Sequence, residues 1–310
     1  MGTRDPLPCS LIEKGWGEDP GAKETCGQRL PRAPMLLRRT LRHELAMKQT
    51  ILECVRPAGE ILLRYFGRKV NVRHKGDQSN IVTDADLASE RWIVGHIRDR
   101  FPNHSIIAEE TGYLRAASAF TWVIDPLDGT SNFAAGLPWF GVQVAVLQDF
   151  WPILAAKFLP ITDTLYLAEK GQGVYRDGTR VRVTAETDPL NVLCAFGLDA
   201  TASGEQSRRQ AGVLHRVANG VRNIRATNCL LDFCYTIDGR LGGCVNFNTK
   251  IWDIAPLALM LPEAGGRLTD MDGRDIVFRP DSEAFDRNYT VVGASQALHP
   301  RLLELVRPGP

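Results

Sequence analysis

Between Phe140 and Val183 the chain reads FGVQVAVLQ, WPILAAKF, TLYLAEKG and GVYRDGTRVRV, short apolar runs parted by a few turn residues. Strands joined by such brief connections pair with their neighbours antiparallel, since a parallel crossover needs a dozen or more residues. Asp177-Gly178 predicts a hairpin turn inside the last run. Whatever else the chain does, this part of it forms an antiparallel-rich sheet.

Around that sheet the pattern is helical. HELAMKQTILECVRPAGEILLRYF (43–66) predicts a helix with a kink or break at Pro57. Residues 84–101 predict a second, with Leu87, Val94, Ile97 and Phe101 as its apolar stripe and Thr83 or Asp84 as its cap. SIIAEE and TWVID are short strands. Beyond about residue 185 the elements alternate. NVLCAFG, VRNIRA and LGGCVNF read as strands, and SGEQSRRQAGVLHRVAN and NCLLDFCYTIDG as helices. The helix WDIAPLALMLPEA stops at Gly265-Gly266. Strands near GRLTD and YTVVGA and a helix from about Gln296 finish the chain. The fold class is α/β (α+β) and layered, with an α+β half over 47–185 and an α/β half over 186–310.

Residues 1–46 differ from the rest. Proline, glycine and arginine are frequent and apolar periodicity is weak, which predicts a poorly ordered extension. It is too acidic for an organellar targeting peptide and lacks the apolar core of a secretory signal. A start codon assigned too early, with Met47 the true beginning, would also account for it. The net charge of +1 over 310 residues offers nothing for nucleic acid or a charged membrane surface. The longest apolar run is cut by Asp149 and Pro152, too soon to span a bilayer. Seven scattered cysteines, an odd number without a C-x-x-C pair, fit reduced thiols in the cytoplasm.

The acids carry the chemistry. WVIDPLDGTSNF (122–133) ends a buried strand with Asp125 and Asp128, and SIIAEE ends with Glu109 and Glu110. Clustered carboxylates raise one another's pKa unless a cation lies between them. Oxygen donors without His or Cys suit a hard cation such as Mg2+. Gly129 lets the backbone approach a ligand, and TSNF can open a short helix whose N–H groups face a phosphate. Taken singly, each piece is also ordinary: Asp-Pro-Leu-Asp-Gly is a common turn, Glu109-Glu110 a common surface pair, and Asp86 and Asp253 fit as helix-capping acids. His74, His96 and His104 read as surface or core residues, and Trp252 as packing beneath Asp253.

In order and spacing, WVIDPLDGTSNF, WDIAPLALMLPEAGG, IIAEE and KGDQSNIVTDAD together resemble the inositol monophosphatase superfamily of Mg-dependent, lithium-sensitive phosphatases, from about Met47 onward. The resemblance implies a layered α-β-α-β-α sandwich shared with fructose-1,6-bisphosphatase. It implies two to three Mg2+ ions, one on Glu109, Asp125 and the Leu127 carbonyl, and a second on Asp125, Asp128 and Asp253. A weaker third would lean on Glu109. Thr130 and Asp86 would orient and deprotonate a metal-activated water. The Gly129 and Thr130 N–H groups would take phosphate. Glu110 and Lys75 would be supporting residues, and the protein would be a homodimer.

The chain also departs from the family. Thr227-Asn228-Cys229 stands where relatives carry Gly-Ser-Ala or Gly-Thr-Ala, Asn246 where many carry a sugar-binding glutamate, and Ala135 where a histidine is usual. Pro262 interrupts the second motif's helix. Asp199, Asn228, Asp232 and Asn246 are candidate substrate contacts, although Asp232 fits equally as a clamp on loop backbone. The implied activity is hydrolysis of a small phosphorylated metabolite, a polyol phosphate such as inositol-1-phosphate. Histidinol phosphate, fructose-1,6-bisphosphate and 3′-phosphoadenosine 5′-phosphate are alternatives. A non-catalytic regulatory protein of the same fold is another.

Overall fold

The computed structural model describes residues 35–69, 71–75, 81–199, 203–279 and 287–307. The chain divides into two units, Met1–His43 and Glu44–Pro310. Most of the expected extension, 1–34, and loop residues 76–80 lie outside the described residues.

Helix α1 spans Met35–Tyr65, so the regular pattern begins before His43 and part of 1–46 is helical. Met, Leu and Arg, which dominate 35–41, are strong helix formers, and the Pro- and Gly-rich segment before them masks that signal. The helix runs through Pro57, which removes one hydrogen bond without ending it. Strands β1 (Val72–His74) and β2 (Ile81–Thr83) form a small antiparallel pair. Helix α2 follows (Asp84–Arg100), then β3 (Ser105–Ala108), β4 (Gly112–Leu114), β5 (Phe120–Asp128) and the short helix α3 (Thr130–Ala134). β6 (Gly141–Gln148), β7 (Trp151–Leu159), β8 (Thr164–Glu169), β9 (Gly173–Arg176) and β10 (Thr179–Val181) make the expected meander. Asp177 and Gly178, both at positive φ, turn β9 into β10. β11 (Leu193–Gly197), α4 (Gly204–Gly220), β12 (Asn223–Arg225), α5 (Leu230–Ile237), β13 (Gly243–Thr249), α6 (Ile251–Glu263), β14 (Gly266–Thr269), β15 (Tyr289–Ser295) and α7 (His299–Val306) complete the order. Pro256, as well as Pro262, sits inside α6.

Two large sheets organise these elements. One has eight strands in the order β10-β9-β8-β7-β6-β5-β3-β4, antiparallel except for β3 beside β5. The other has five, β12-β11-β13-β15-β14, with β12, β11 and β13 parallel. Alternation along each strand sends side chains to two different cores. Trp122, Ile124, Val144 and Val146 meet Met47, Ile51, Ile93 and Ile97 of α1 and α2. Val123, Ala145 and Ala155 face the other way, against α5, α6 and the near face of the second sheet. Val245, Val292 and Ala294 on its far face pack with Val213 and Val217 of α4 and Leu302 of α7. The result is the layered α-β-α-β-α sandwich.

Helix α2 corrects one expectation. Its buried face runs through Ala85, Asp86, Ser89, Glu90, Ile93, Val94 and Ile97, while Leu87 is only half-buried. Three polar residues share the inward face because they are needed as partners for the loops beneath.

Candidate active site and metal centre

The strand β5 ends in a bulge. Asp125 lies opposite Gln143 of β6 and Asp128 opposite Gly141, so three steps along β5 answer two along β6. In a regular strand residues three apart point to opposite faces; the extra residue brings both aspartates to one side. Pro126 has no N–H for the ladder, and its carbonyl accepts Ser89 Oγ at 2.8 Å. The Leu127 N–H donates to Asp125 Oδ1 at 3.1 Å. Gly129 then takes a φ of 89°, where a Cβ would lie 2.5 Å from the Trp139 carbonyl oxygen, so no larger residue fits without moving backbone. The first amides of α3 begin at Thr130, without helical acceptors one turn earlier.

Asp253 comes from the first turn of α6, its Oδ2 accepting the Lys250 N–H at 2.6 Å. Ligating atoms of Asp125, Asp128 and Asp253 all lie within 4.8 Å of one another. Glu109 lines the same cleft but stands outside that trio, with Lys75 Nζ 2.9 Å from its Oε1. Lys75 also pairs with Glu110. The cleft, about 490 Å3, is lined further by Leu127, Gly129, Thr130, Asn228 and Asn246.

Asp86 sits just behind. Its Oδ2 accepts the Thr83 N–H at 2.8 Å, closing a capping box, and its Oδ1 lies 3.0 Å from Thr130 Oγ1. The same hydroxyl is 2.9 Å from the Leu127 carbonyl oxygen. One proton cannot serve both acceptors, so this hydroxyl joins Asp86 and the loop carbonyl in one exchangeable pair. One turn along α2, Glu90 accepts the Glu110 N–H at 2.8 Å and also bonds Thr111, which fixes the double-glutamate turn.

Burial, with added repulsion from Glu109, Asp128 and Asp253, holds the Asp125 carboxyl well above the usual range. Asp253 is raised well above it too, by burial and then by Asp128. Burial lifts Asp128 to about 6, against the pull of Lys157 and the Leu230 N–H. Asp86 is lifted to about 6 by burial, with Glu109 adding to it. Burial and Glu109 push Glu110 to about 7. Three acids crowded at such a cost, offering only oxygen, match the donor set of a hard divalent cation. Cys229 also lines the cleft, but burial pushes its thiol well up, so it stays protonated and unsuited as a ligand.

The candidate substrate contacts are already partly engaged. Asn228, at a φ of 54°, donates from Nδ2 to Asp199 at 2.5 Å and accepts the Leu198 N–H at 3.0 Å. Asn246 Oδ1 accepts the Asn248 N–H at 2.9 Å. Asp232 accepts the Thr227 and Asn228 N–H groups, so it clamps the loop and does not line the cleft. His96 pairs with Glu53, and His104 stacks between Phe101 and Phe120, away from the acids. Ser89, Glu90, Gln143 and Lys157 were not foreseen. For Gln143 and Lys157 the signal was a polar residue inside an apolar strand, whereas α2 is polar enough to hide Ser89 and Glu90.

A model of the Inositol monophosphatase family matches residues 46–309. Inositol monophosphatase 2 of Solanum lycopersicum is 32% identical, over 72% of this chain and 87% of its own length. A Neisseria meningitidis protein named a putative Nus factor SuhB is also 32% identical, over 73% and 87%. The crystal structure of the extragenic suppressor protein suhB from Bartonella henselae superposes with a TM-score of 0.78 at 27% identity, covering 86% of this chain and all of that one.

Proposed function

Because this chain belongs to the inositol monophosphatase family, a family of phosphatases, we propose that it is a Mg2+-dependent phosphomonoesterase acting on a small polyol phosphate such as inositol-1-phosphate. The observation that carries this reading is the meeting of Asp125, Asp128 and Asp253 within 4.8 Å, beside the Thr130–Asp86 pair. Glu109, Asp125, the Leu127 carbonyl, Asp128 and Asp253 are the groups that would hold two or three ions. When bound, Mg2+ supplies Lewis-acid charge to the phosphoryl oxygens and to the leaving alkoxide.

The chain's own residues do the rest. Asp86, with its pKa near 6, is ionised at neutral pH and close enough to that pH to accept a proton. Thr130 relays it, its hydroxyl taking the proton of an attacking water and passing its own to Asp86. The tight turn at Gly129 and the amides of Gly129 and Thr130 cradle the equatorial phosphate oxygens. Asn228 and Asn246 border the space left for the alcohol. Lys75 holds the Glu109-Glu110 pair in place. We place the protein in the cytoplasm, where the buried unpaired thiols Cys54, Cys194, Cys229, Cys234 and Cys244 stay reduced, and as a homodimer by family resemblance. Among the described residues no helix is long and apolar enough to cross a membrane.

Phosphate release from a panel of phosphomonoesters tests the proposal: it should require Mg2+, fall with added lithium, and vanish in Asp128→Asn with the fold intact. The similarity to proteins named Nus factors favours a second reading, a regulatory protein of this fold. Silence on every substrate in the panel would favour it.

A further inference from the structure

Behind the acids lies a cation that the reaction above does not use. Lys157, on β7, is completely buried, and so is Gln143 on β6, directly across the ladder. Lys157 Nζ donates to Gln143 Oε1 and sits 5.3 Å from the centre of the Phe233 ring. Gln143 Nε2 donates to Asp128 Oδ2 at 2.6 Å and to Asp125 Oδ2 at 3.2 Å. The two hydrogens of one amide therefore hold one oxygen from each aspartate of the candidate metal centre.

The direction of that amide is decided by Lys157. An ammonium has donors only, so the face of Gln143 turned toward it must be the carbonyl. The NH2 group must then face the aspartates. A flipped amide would set an oxygen against two carboxylates and an NH2 against an ammonium, unfavourable at both ends. The remaining oxygens are held as well: Asp125 Oδ1 by the Leu127 N–H and Asp128 Oδ1 by the Leu230 N–H at 2.8 Å. Each carboxylate is pinned at both oxygens, which leaves its remaining lone pairs to face the cleft. A fully buried lysine is costly to keep, and an apolar side chain would fill the same space without that cost. Its retention needs the negative cluster beyond Gln143.

Resting on the metal-dependent reading above, we propose that Gln143 and Lys157 are positioning residues for the metal centre. Lys157 locks the Gln143 amide, and the amide sets the ligating rotamers of Asp125 and Asp128. Neither residue touches substrate. Their effect is on the affinity of the ion.

The test is Mg2+ binding, read by calorimetry on the full chain, with phosphate release measured in parallel. Gln143→Met leaves net charge unchanged, so long-range attraction for the cation is constant and only the positioning bonds are lost. Removing such an outer partner of a metal ligand weakens the ion by roughly 10–100-fold, and that is the fall expected here. The double variant Gln143→Met with Lys157→Met removes the orphaned cation and keeps the volume apolar, so it folds even if the single variant does not. Loss of a positive charge alone would tighten Mg2+. A weaker ion in the double variant is therefore the more demanding outcome, and it is the one expected. Parental or tighter binding in a folded variant overturns the inference and leaves the proposed function standing. A parent chain that binds no Mg2+ sinks both.

Discussion

Replacing Asp128 with asparagine should make the metal-free protein more stable while destroying the function proposed for it. Asp128 is buried and its pKa rises from 3.8 to about 6. The native state thus binds this proton more tightly than the unfolded chain. Stability falls as pH climbs through that interval, and the full cost is reached above about pH 6. That shift corresponds to about 3 kcal/mol. Asparagine carries no charge and keeps the bond from the Leu230 N–H. It loses the one from Gln143 Nε2, where a donor now meets a donor, at roughly 1–3 kcal/mol. The balance is a gain of about 1 kcal/mol at pH 8, or roughly 1–2 °C in Tm for a chain of this length. Calorimetry in chelator at pH 8 should show that gain, and at pH 5, where the parent's Asp128 is largely protonated, it should disappear. Mg2+ at 100 times its Kd should then add about 2.7 kcal/mol to the parent and little to the variant. An Asp128→Asn protein less stable than its parent at pH 8 without metal, or equally responsive to Mg2+, would refute the reasoning.

Three further outcomes are expected. Thr130→Val keeps the side-chain shape but removes the hydroxyl between Asp86 and the Leu127 carbonyl, so kcat should fall by roughly 10²–10⁴ with the Mg2+-induced Tm shift retained; a rate within fivefold of the parent contradicts it. The pH profile of kcat/KM should fall on the acid side of about 6, as Asp86 takes up a proton and can no longer accept one; a flat profile down to pH 5 removes Asp86 from that role. Trp122→Ala empties a fully buried site and deletes the indole bond to His104 Nδ1 at 3.1 Å, and urea titration should record a loss of about 3–5 kcal/mol.

Where sequence and structure agree, a strong local rule was at work. The Asp177-Gly178 turn was legible because glycine and aspartate tolerate positive φ, and the strands because their periodicity was clean. The turn at Asp149 and Phe150 also has both residues at positive φ but no glycine, so it was visible only as an interruption. The family motifs pointed to Asp125, Asp128, Asp253, Glu109, Asp86 and Thr130, which sit in short stretches at element ends, and the structure gathers the first three within 4.8 Å. The supporting partners were harder to see. Gln143 and Lys157 each occupy one polar position in an apolar strand, and nothing local says that β6 and β7 set them side by side. Ser89 and Glu90 lie off the apolar stripe expected for α2, and only the fold brings the Pro126 carbonyl and the Glu110 turn against them. The helix through 35–42 was hidden by the proline- and glycine-rich residues that precede it.

The three clustered aspartates are contributed by β5 and the first turn of α6, and the second of these is reached only after most of the chain has been made. A nascent polypeptide can lay down the whole eight-stranded sheet while Asp253 is still unsynthesised. A fragment interrupted before that residue would keep the repulsion between Asp125 and Asp128 without the third carboxylate that completes a cation's cage. Binding of the ion would therefore report completion, rewarding the finished chain with added stability and leaving truncated copies open to proteolysis.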